Sequence, residues 1–333
     1  MYSTVRFKFI ITLFVFTIHL NTSVQEFEKK KFQNPFQTWN YENGAISSVY
    51  ATIGGRPYME DYSIRIENSF GAGIFAILDG HTGIYSAKFA KQYLTTKIQT
   101  IFQQNSFNPE NCEYTDGSMG KLNIIQMLID LISDVEYQLE TATLERKHRS
   151  GTTCVLVIAE KEKLTVANVG DSRGVLCTSN DMAINLSTDH KPMNKNETQR
   201  IKEANGKILY KYGAWRVRGL SMSRSLGDYQ LKVGNNILIA KPDIYRFDLN
   251  EYRPKFMILA SDGLWDVMTS QKAVNFINSR YLCKKDFGAK ALAKRAIQLG
   301  SMDNITVLIV IFRDGFYEIG QSEDSEILYS AYN

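Results

Sequence analysis

Gly73-Ile-Phe-Ala-Ile-Leu78, followed at once by Asp79-Gly80-His81, is the most informative segment of this 333-residue chain. Its apolar residues are mostly β-branched or aromatic, which favours a buried strand. The Asp-Gly pair that follows is a typical turn sequence. The chain is therefore predicted to form a buried strand here, with a carboxylate at its tip.

The same arrangement, an apolar strand with an aspartate at one end, recurs three times. Asp171 and Asp262 each follow an apolar run, and Asp303 precedes the run 304–312. A single aspartate of this kind is explained equally well as a turn residue. All four together predict carboxylates that converge at one end of a sheet core. Such carboxylates repel one another unless a cation neutralises them, and their oxygens suit Mg²⁺ or Mn²⁺. The pattern indicates a multi-metal hydrolytic centre.

Length and composition indicate a folded globular protein. The chain is long enough to bury a full core, with 44% hydrophobic and 22% charged residues. The net charge of +4 is too mild to indicate a nucleic-acid partner, and neither aromatic-basic patterning nor zinc-finger spacing is present. Cys154 and Cys177 lie inside apolar strand candidates, which favours small core residues over disulfide partners.

The N-terminal residues 1–24 are predicted to be a hydrophobic anchor or a signal segment. Arg6 and Lys8 precede the uncharged stretch 9–20, whose length suits a signal peptide better than a full membrane span. Residues 21–25 offer a poor cleavage site, so a short uncleaved anchor stays open. A helix of the soluble core is the third alternative.

The rest of the chain divides into three parts. Residues 25–44 are predicted to be a polar linker, residues 45–313 one continuous domain without internal repeats, and residues 314–333 a loosely packed acidic tail. The stretch 103–120 resembles an insertion and has no assigned role.

Hydrophobic periodicity predicts an α+β fold. Helical periodicity covers 84–103 and 121–147, and two further helices are predicted at 270–282 and 286–299. Short links between strands favour antiparallel hairpins, and strands and helices occur in blocks. The strand candidates are 46–53, 61–67, 72–78, 152–159, 163–169, 173–178, 255–261 and 304–312.

Eight motifs in order resemble those of the metal-dependent type 2C protein serine/threonine phosphatases. They occupy residues 56–61, 78–81, 150–153, 166–173, 189–192, 222–228, 258–266 and 303–306. Residues 164–177 and 257–266 are most similar to the protein phosphatase 1-like branch, which is also tethered by an N-terminal hydrophobic segment.

The resemblance implies a fold and a reaction. The fold is an α-β-β-α sandwich, two packed antiparallel β-sheets flanked by helices, with the metal centre at one end. The reaction is hydrolysis of phosphoserine and phosphothreonine in proteins, in which a hydroxide that bridges two metals attacks phosphorus in line. No protein nucleophile is then needed, and the sequence contains no CxxxxxR loop that would supply one.

The metal ligands implied by the resemblance follow the predicted strand ends. Asp79 bridges two Mg²⁺ or Mn²⁺ ions, and the carbonyl oxygen of Gly80 adds a ligand. Asp262 and Asp303 complete the first metal, while Glu60 holds the second largely through water.

Three further residues receive roles from the same resemblance. Asp171, with Asp262, holds a weaker third metal, although it also suits a hairpin turn. Arg56 clamps the phosphoryl oxygens, because a guanidinium matches their charge and geometry; a solvated surface charge is the alternative. His81 protonates the leaving alkoxide, or else only forms a local hydrogen bond.

Two features depart from the family pattern or extend it. The family usually has glycine where this chain has Thr82, which restricts the backbone beside His81. The segment 189–218 is rich in Lys and Arg, so it either attracts phosphorylated or acidic peptides or is an ordinary solvated face.

Two rival functions stay open: a catalytically inactive relative that acts as a binding module, and a metal hydrolase of small phosphoesters. The expected partners are phosphoprotein substrates in signalling, kinases among them, and the expected state is a monomer.

Four Asn-X-Ser/Thr sequons would be glycosylated in a secretory lumen. A glycan at Asn304 would crowd Asp303. We therefore expect a membrane-anchored protein whose catalytic domain faces the cytosol; the alternative is a secreted or lumenal protein after signal cleavage.

Overall fold

The computed structural model describes residues 38–43, 46–69, 71–104, 122–146, 148–234 and 236–318. The predicted anchor 1–24 and most of the insertion 103–120 lie outside the described residues. Within the described ranges, no helix is both long enough and apolar enough to cross a membrane.

The described residues form strands and helices in the predicted blocks. In chain order the strands are β1 (Thr38–Asn43), β2 (Ser47–Thr52), β3 (Tyr62–Ser69), β4 (Ala72–Leu78), β5 (Gly80–His81), β6 (Gly151–Thr152), β7 (Cys154–Ala159), β8 (Lys163–Val169), β9 (Arg173–Cys177), β10 (Ala183–Asn185), β11 (Ile208–Lys211), β12 (Ala214–Val217), β13 (Leu226–Gly227), β14 (Asp243–Asp248), β15 (Phe256–Ala260) and β16 (Ile305–Ile311). The helices are α1 (Tyr85–Gln104), α2 (Ile124–Arg146), α3 (Lys195–Glu203), α4 (Tyr229–Lys232), α5 (Leu249–Tyr252), α6 (Asp262–Trp265), α7 (Ser270–Asn278) and α8 (Ala289–Gln298).

Two antiparallel sheets form the centre of the molecule. One has six strands in the order β1-β2-β16-β15-β9-β10, and the other has five in the order β14-β8-β7-β4-β3. Neighbouring strands pair antiparallel throughout both sheets. The predicted hairpins are therefore confirmed.

The core lies in three layers. Helices α1 and α2 pack on the outer face of the five-stranded sheet, around Ile74 and Leu78. Helices α7 and α8 cover the outer face of the six-stranded sheet, and a third cluster fills the space between the sheets. Strand β4 is buried along its whole length because its two faces serve different layers. The predicted α+β sandwich of two packed antiparallel sheets is confirmed.

The folded domain is longer at both ends than the predicted boundaries of 45 and 313. Strand β1 lies inside the range that was predicted as linker, and it pairs with β2. At the other end, Tyr317 is buried and packs edge-on against Phe75, and its hydroxyl donates to the carbonyl oxygen of Glu67. The first residues of the predicted tail therefore belong to the core, whose aromatic packing the acidic composition of the tail did not reveal.

A smaller unit with helix α3 and the hairpin β11–β12 is joined to the sandwich by a buried ionic network. Glu197 accepts hydrogen bonds from Arg224 at 2.5 Å, Ser223 at 2.6 Å and Arg200 at 2.7 Å. Burial alone would raise the pKa of Glu197, but these donors outweigh it and lower that pKa to about 2.

Replacement of Glu197 by Gln is expected to lower the free energy of unfolding at pH 7 by roughly 3 kcal/mol. The folded pKa lies below the unfolded value, so the stabilisation is present above pH 4.5 and is lost as the pH falls through about 2. Urea unfolding at pH 7 and pH 3 measures the effect. The gap between wild type and variant should narrow at pH 3, while the exposed neighbour variant Glu203→Gln should leave stability nearly unchanged at both.

Candidate metal centre

The structure brings the four strand-end aspartates to one end of the sandwich. Asp79 follows β4, Asp171 follows β8, Asp262 begins α6 after β15, and Asp303 precedes β16. The amide of Asp262 lies 3.4 Å from Asp79 Oδ2. Burial, and then the charges of the neighbouring carboxylates, raise the pKa of Asp79 well above its usual value. Burial and the charge of Asp171 do the same for Asp262.

A fifth carboxylate, Asp61, belongs to the cluster and was not assigned from the sequence. It accepts hydrogen bonds from Ser261 and Thr306, each at 2.8 Å, and burial raises its pKa to about 6. Its Oδ1 atom is buried and has no hydrogen-bond partner among the described residues. The signal was available, because Asp61 ends the quoted motif 56–61, directly after Glu60.

Two side-chain cations lie against the cluster. Arg56 Nη2 is 2.5 Å from Asp303 Oδ2, and this bond is the main reason that the pKa of Arg56 is raised. Lys191 Nζ is 2.5 Å from Asp171 Oδ2. Within the described residues, no three acidic, histidine or cysteine side chains already converge as a metal-binding group. In this structure Arg56 and Lys191 balance part of the negative charge of the aspartate cluster.

The donor set nevertheless fits a hard divalent ion. Every candidate ligand is an oxygen, which is the donor that Mg²⁺ and Mn²⁺ prefer. Asp61 Oδ1 and Asp171 Oδ1 are both buried without a hydrogen-bond partner in the described part of the chain. A bound cation would stabilise the charged form of the buried carboxylates with raised pKa values and lower those pKa values.

Glu60 is held by two contacts, one at its carboxylate and one at its backbone amide. Its Oε1 accepts a 2.7 Å hydrogen bond from the amide of Gly83. Its own amide donates to Asn304 Oδ1 at 2.8 Å, and the Asn304 side chain donates to the carbonyl oxygens of Ile53 and Tyr58. From the sequence, Asn304 was noted as a sequon and as part of the motif 303–306, without a role of its own; in the structure it orders the loop that carries Arg56 and Glu60.

Gly80 allows a close approach between two chain segments. A Cβ at this position would overlap the carbonyl oxygen of Glu60 and press against Ala87. Only glycine therefore lets β5 lie this close to the backbone of Glu60.

His81, which is partly buried, pairs with the buried carboxylate of Asp228. Its Nε2 lies 2.7 Å from Asp228 Oδ2, which also accepts a 2.6 Å hydrogen bond from Ser225. Burial alone would lower the pKa of His81, but the Asp228 carboxylate outweighs it, so the pKa is raised. The second nitrogen, Nδ1, is buried without a hydrogen-bond partner in the described ranges.

The small sheet β13-β6-β5 brings this pair together. His81 ends β5, Asp228 follows β13, and Gly151 in β6 pairs with both flanking strands. A Cβ on Gly151 would overlap the carboxylate of Asp228 and the Nε2 atom of His81. Sequence reasoning missed Asp228, because its partner lies 147 residues away.

Thr82 lies in the left-handed region, with φ of 56°. This conformation is costly for a β-branched residue, and its neighbour Gly83 carries the amide that holds Glu60. The restriction predicted at this position thus takes the form of a strained turn.

Thr82→Gly is expected to raise the melting temperature by about 2 °C. Relief of a left-handed L-residue gains ~1–2 kcal/mol and exceeds the extra chain entropy of glycine. Differential scanning calorimetry measures the change, with Thr82→Ala as the control that keeps the left-handed cost. A lower melting temperature for Thr82→Gly would show that the turn is not strained.

The basic segment 189–218 separates into two groups. Lys191 and Arg200 are partly buried in ionic contacts. Lys207, Lys211 and Arg218 are exposed on or beside the hairpin β11–β12. The two predicted alternatives for this second group, peptide attraction or a plain solvated face, both stay predictions.

Residues 59–305 match the family described as "Protein phosphatase 2C". A bovine relative named "Protein phosphatase 1L" is 40% identical over 282 residues, which cover 84% of this chain and 75% of the relative. A rice relative named "Probable protein phosphatase 2C 59" is 37% identical, over 81% of this chain and 77% of its own length. A solved Toxoplasma gondii serine-threonine phosphatase 2C superposes with a TM-score of 0.67 at 21% identity, covering 83% of this chain and 99% of that one.

The sandwich carries buried carboxylates at one end, with a His–Asp pair near them. The family match and the similar relatives identify which reaction the protein catalyses. The chain belongs to the protein phosphatase 2C family and is a protein serine/threonine phosphatase.

Proposed function

We propose that this phosphatase hydrolyses phosphoserine and phosphothreonine at the Asp79 cluster with two Mg²⁺ or Mn²⁺ ions. Asp79, Asp262, Asp303 and the Gly80 carbonyl would hold the pair, with Glu60 beside it. Asp61 would hold these ligands or the water around them. A metal pair, when bound, lowers the pKa of a coordinated water and so supplies the nucleophile near neutral pH.

One observation carries this proposal. Asp79 is crowded by four other carboxylates, and its pKa is raised by burial and by their charges. Such crowding costs free energy in the absence of cations, and strongly perturbed carboxylates of this kind cluster at functional sites. An inactive binding module would have no need of it.

The chain's own residues perform two further tasks. Arg56 is more than half exposed, so its guanidinium can exchange Asp303 for the phosphoryl oxygens of a substrate. His81 gives a proton to the departing serine or threonine oxygen, and Asp228 orients the ring through Nε2. That contact occupies Nε2, so Nδ1 is the ring nitrogen without a partner among the described residues.

Phosphate release from a phosphothreonine peptide tests the proposal. The purified chain should release phosphate with Mn²⁺ and lose this activity in EDTA. A phosphotyrosine peptide and a small phosphoester such as glycerol phosphate serve as controls. Equal rates on glycerol phosphate and the phosphothreonine peptide would favour a small-molecule hydrolase and contradict the proposal.

We also propose that residues 1–24 anchor the protein in a membrane, with the phosphatase domain, which extends at least from residue 38 to residue 318, in the cytosol as a monomer. The environment of Asn304 supports a cytosolic location of the domain. It is 5% exposed, and its side chain holds Glu60, Ile53 and Tyr58, so a glycan there is incompatible with the fold. Asn185 and Asn196 are exposed and would accept one in a lumen.

Expression in a eukaryotic cell, followed by membrane fractionation and glycosidase treatment, tests this topology. The chain should sediment with membranes and show no change in mass. A glycosidase-sensitive shift that disappears in Asn185→Gln or Asn196→Gln would place the domain in the lumen instead.

A further inference from the structure

The ammonium group of Lys191 lies among three carboxylates. It is 2.5 Å from Asp171 Oδ2, 3.3 Å from Asp266 Oδ1 and 3.6 Å from Asp262 Oδ2. The Asp171 side chain is fully buried, whereas Lys191 is 28% exposed. The Lys191 ammonium thus contacts three carboxylates, and that of Asp171 has no access to solvent.

The backbone before Lys191 is fixed, so its side chain has a defined direction. His190 exchanges two hydrogen bonds with Gly170: its amide donates to the Gly170 carbonyl oxygen at 2.9 Å, and its Nδ1 accepts from the Gly170 amide at 3.0 Å. Nε2 of His190 lies 3.1 Å from Asp243. Because Nδ1 accepts a hydrogen bond, Nε2 carries the hydrogen of the neutral ring and donates a hydrogen bond to Asp243.

The preceding residue adds a second restraint. Asp189 accepts two hydrogen bonds from the guanidinium of Arg173, at 2.8 and 2.6 Å. Lys191 is therefore presented by a segment whose two preceding side chains are both anchored. Its position over Asp171 is a property of this segment and not of a freely moving surface lysine.

The acidic group needs a cation. The side chains of Asp171 and Asp262 are 0% and 13% exposed, so water screens little of their negative charge. Asp171 Oδ1 is buried and has no hydrogen-bond partner in the described part of the chain, so the charge of this carboxylate is balanced at Oδ2, by Lys191. An ammonium and a divalent ion cannot both occupy the space in front of Asp171 Oδ2, because their charges repel.

We propose that Lys191 is a built-in cation of the Asp171, Asp262 and Asp266 carboxylates, and that a metal ion enters this position only when Lys191 leaves. The inference rests on the proposed metal centre and adds a reason for a limit of two tightly bound ions. A third ion must pay for displacement of the ammonium, so it binds more weakly than the pair at Asp79.

Metal stoichiometry is the direct test. Wild type, Lys191→Met and the control Lys195→Met, an exposed lysine four residues away, are dialysed to equilibrium against graded Mn²⁺, and bound Mn²⁺ per chain is measured by mass spectrometry. Wild type and the control should plateau at two ions over the range in which Lys191→Met reaches three. Equal stoichiometry in all three proteins would overturn the proposal. A wild type that binds no Mn²⁺ would instead contradict the proposed metal centre itself.

Thermal unfolding in EDTA gives a readout that needs no metal. Lys191→Met leaves three carboxylates without their ammonium and is expected to lower the melting temperature by roughly 5–10 °C. The double variant Asp171→Asn, Lys191→Met removes one charge of each sign and should recover most of that loss. It should also bind two ions and not three. A double variant no more stable than Lys191→Met would show that Lys191 acts through packing and not through charge.

Discussion

Asp79→Asn is expected to reduce kcat on a phosphothreonine peptide by roughly a thousandfold or more, a loss of about 4 kcal/mol of transition-state stabilisation. Asp79 lies at the centre of the carboxylate cluster, and both proposed ions depend on its charge. An amide of the same shape keeps the packing but removes that charge. Steady-state kinetics at saturating Mn²⁺ measure the effect, together with Mn²⁺ binding by calorimetry.

The same substitution should not destabilise the metal-free protein. The pKa of Asp79 is raised in the folded state, so its contribution to stability is present at low pH and is lost as the pH rises. At pH 7 in EDTA, Asp79→Asn should therefore melt at or above the wild-type temperature. Asp130→Asn, on the exposed face of α2, is the control for both measurements. Activity within a few-fold of wild type would contradict the two-metal assignment.

His81→Gln is expected to slow hydrolysis of a phosphothreonine peptide by about a hundredfold or more, in the range of general acid catalysis. The serine or threonine oxygen leaves as a strong base and needs a proton. The leaving group of p-nitrophenyl phosphate does not, so its rate should change far less. The ratio of the two rates in wild type and variant is the measurement.

Asp228→Asn provides a matched test of the same proton donor. The amide can still contact Nε2, but it lacks the charge that raises the pKa of His81. It should slow the phosphothreonine peptide more than p-nitrophenyl phosphate, as His81→Gln does. If either variant slowed both substrates equally, His81 would be shown to position a group and not to donate a proton.

Local patterns predicted the sandwich well, because its buried strands are continuous apolar runs. Strands β4 and β15 follow directly from such runs. Strand β14 was missed, since it lies at the sheet edge and begins and ends with aspartate. Its burial alternates only weakly, so periodicity gives little signal there.

In the candidate site, too, the sequence predicted residues with a local pattern and missed residues whose role depends on a contact distant in sequence. The aspartates at strand ends were visible because each directly adjoins its own apolar run. Asp228 and Lys191 were not, because each acquires its role from a partner distant in sequence: His81 for Asp228, and Asp171 for Lys191. Contacts of that kind depend on how the small sheet and the ionic network assemble, which no local pattern encodes.

The register of β1 determines where the chain enters the catalytic domain. Thr38 pairs with Thr52, and Thr52 pairs in turn with Ile305, two residues after Asp303. The first described strand therefore starts at the carboxylate end of the sheet. If residues 9–20 are held in a bilayer, residues 21–37 can span at most about 60 Å. The active site would then stay within about that distance of its anchor. For phosphoproteins on the same membrane, the effective concentration at the active site would be far higher than for dissolved phosphoproteins.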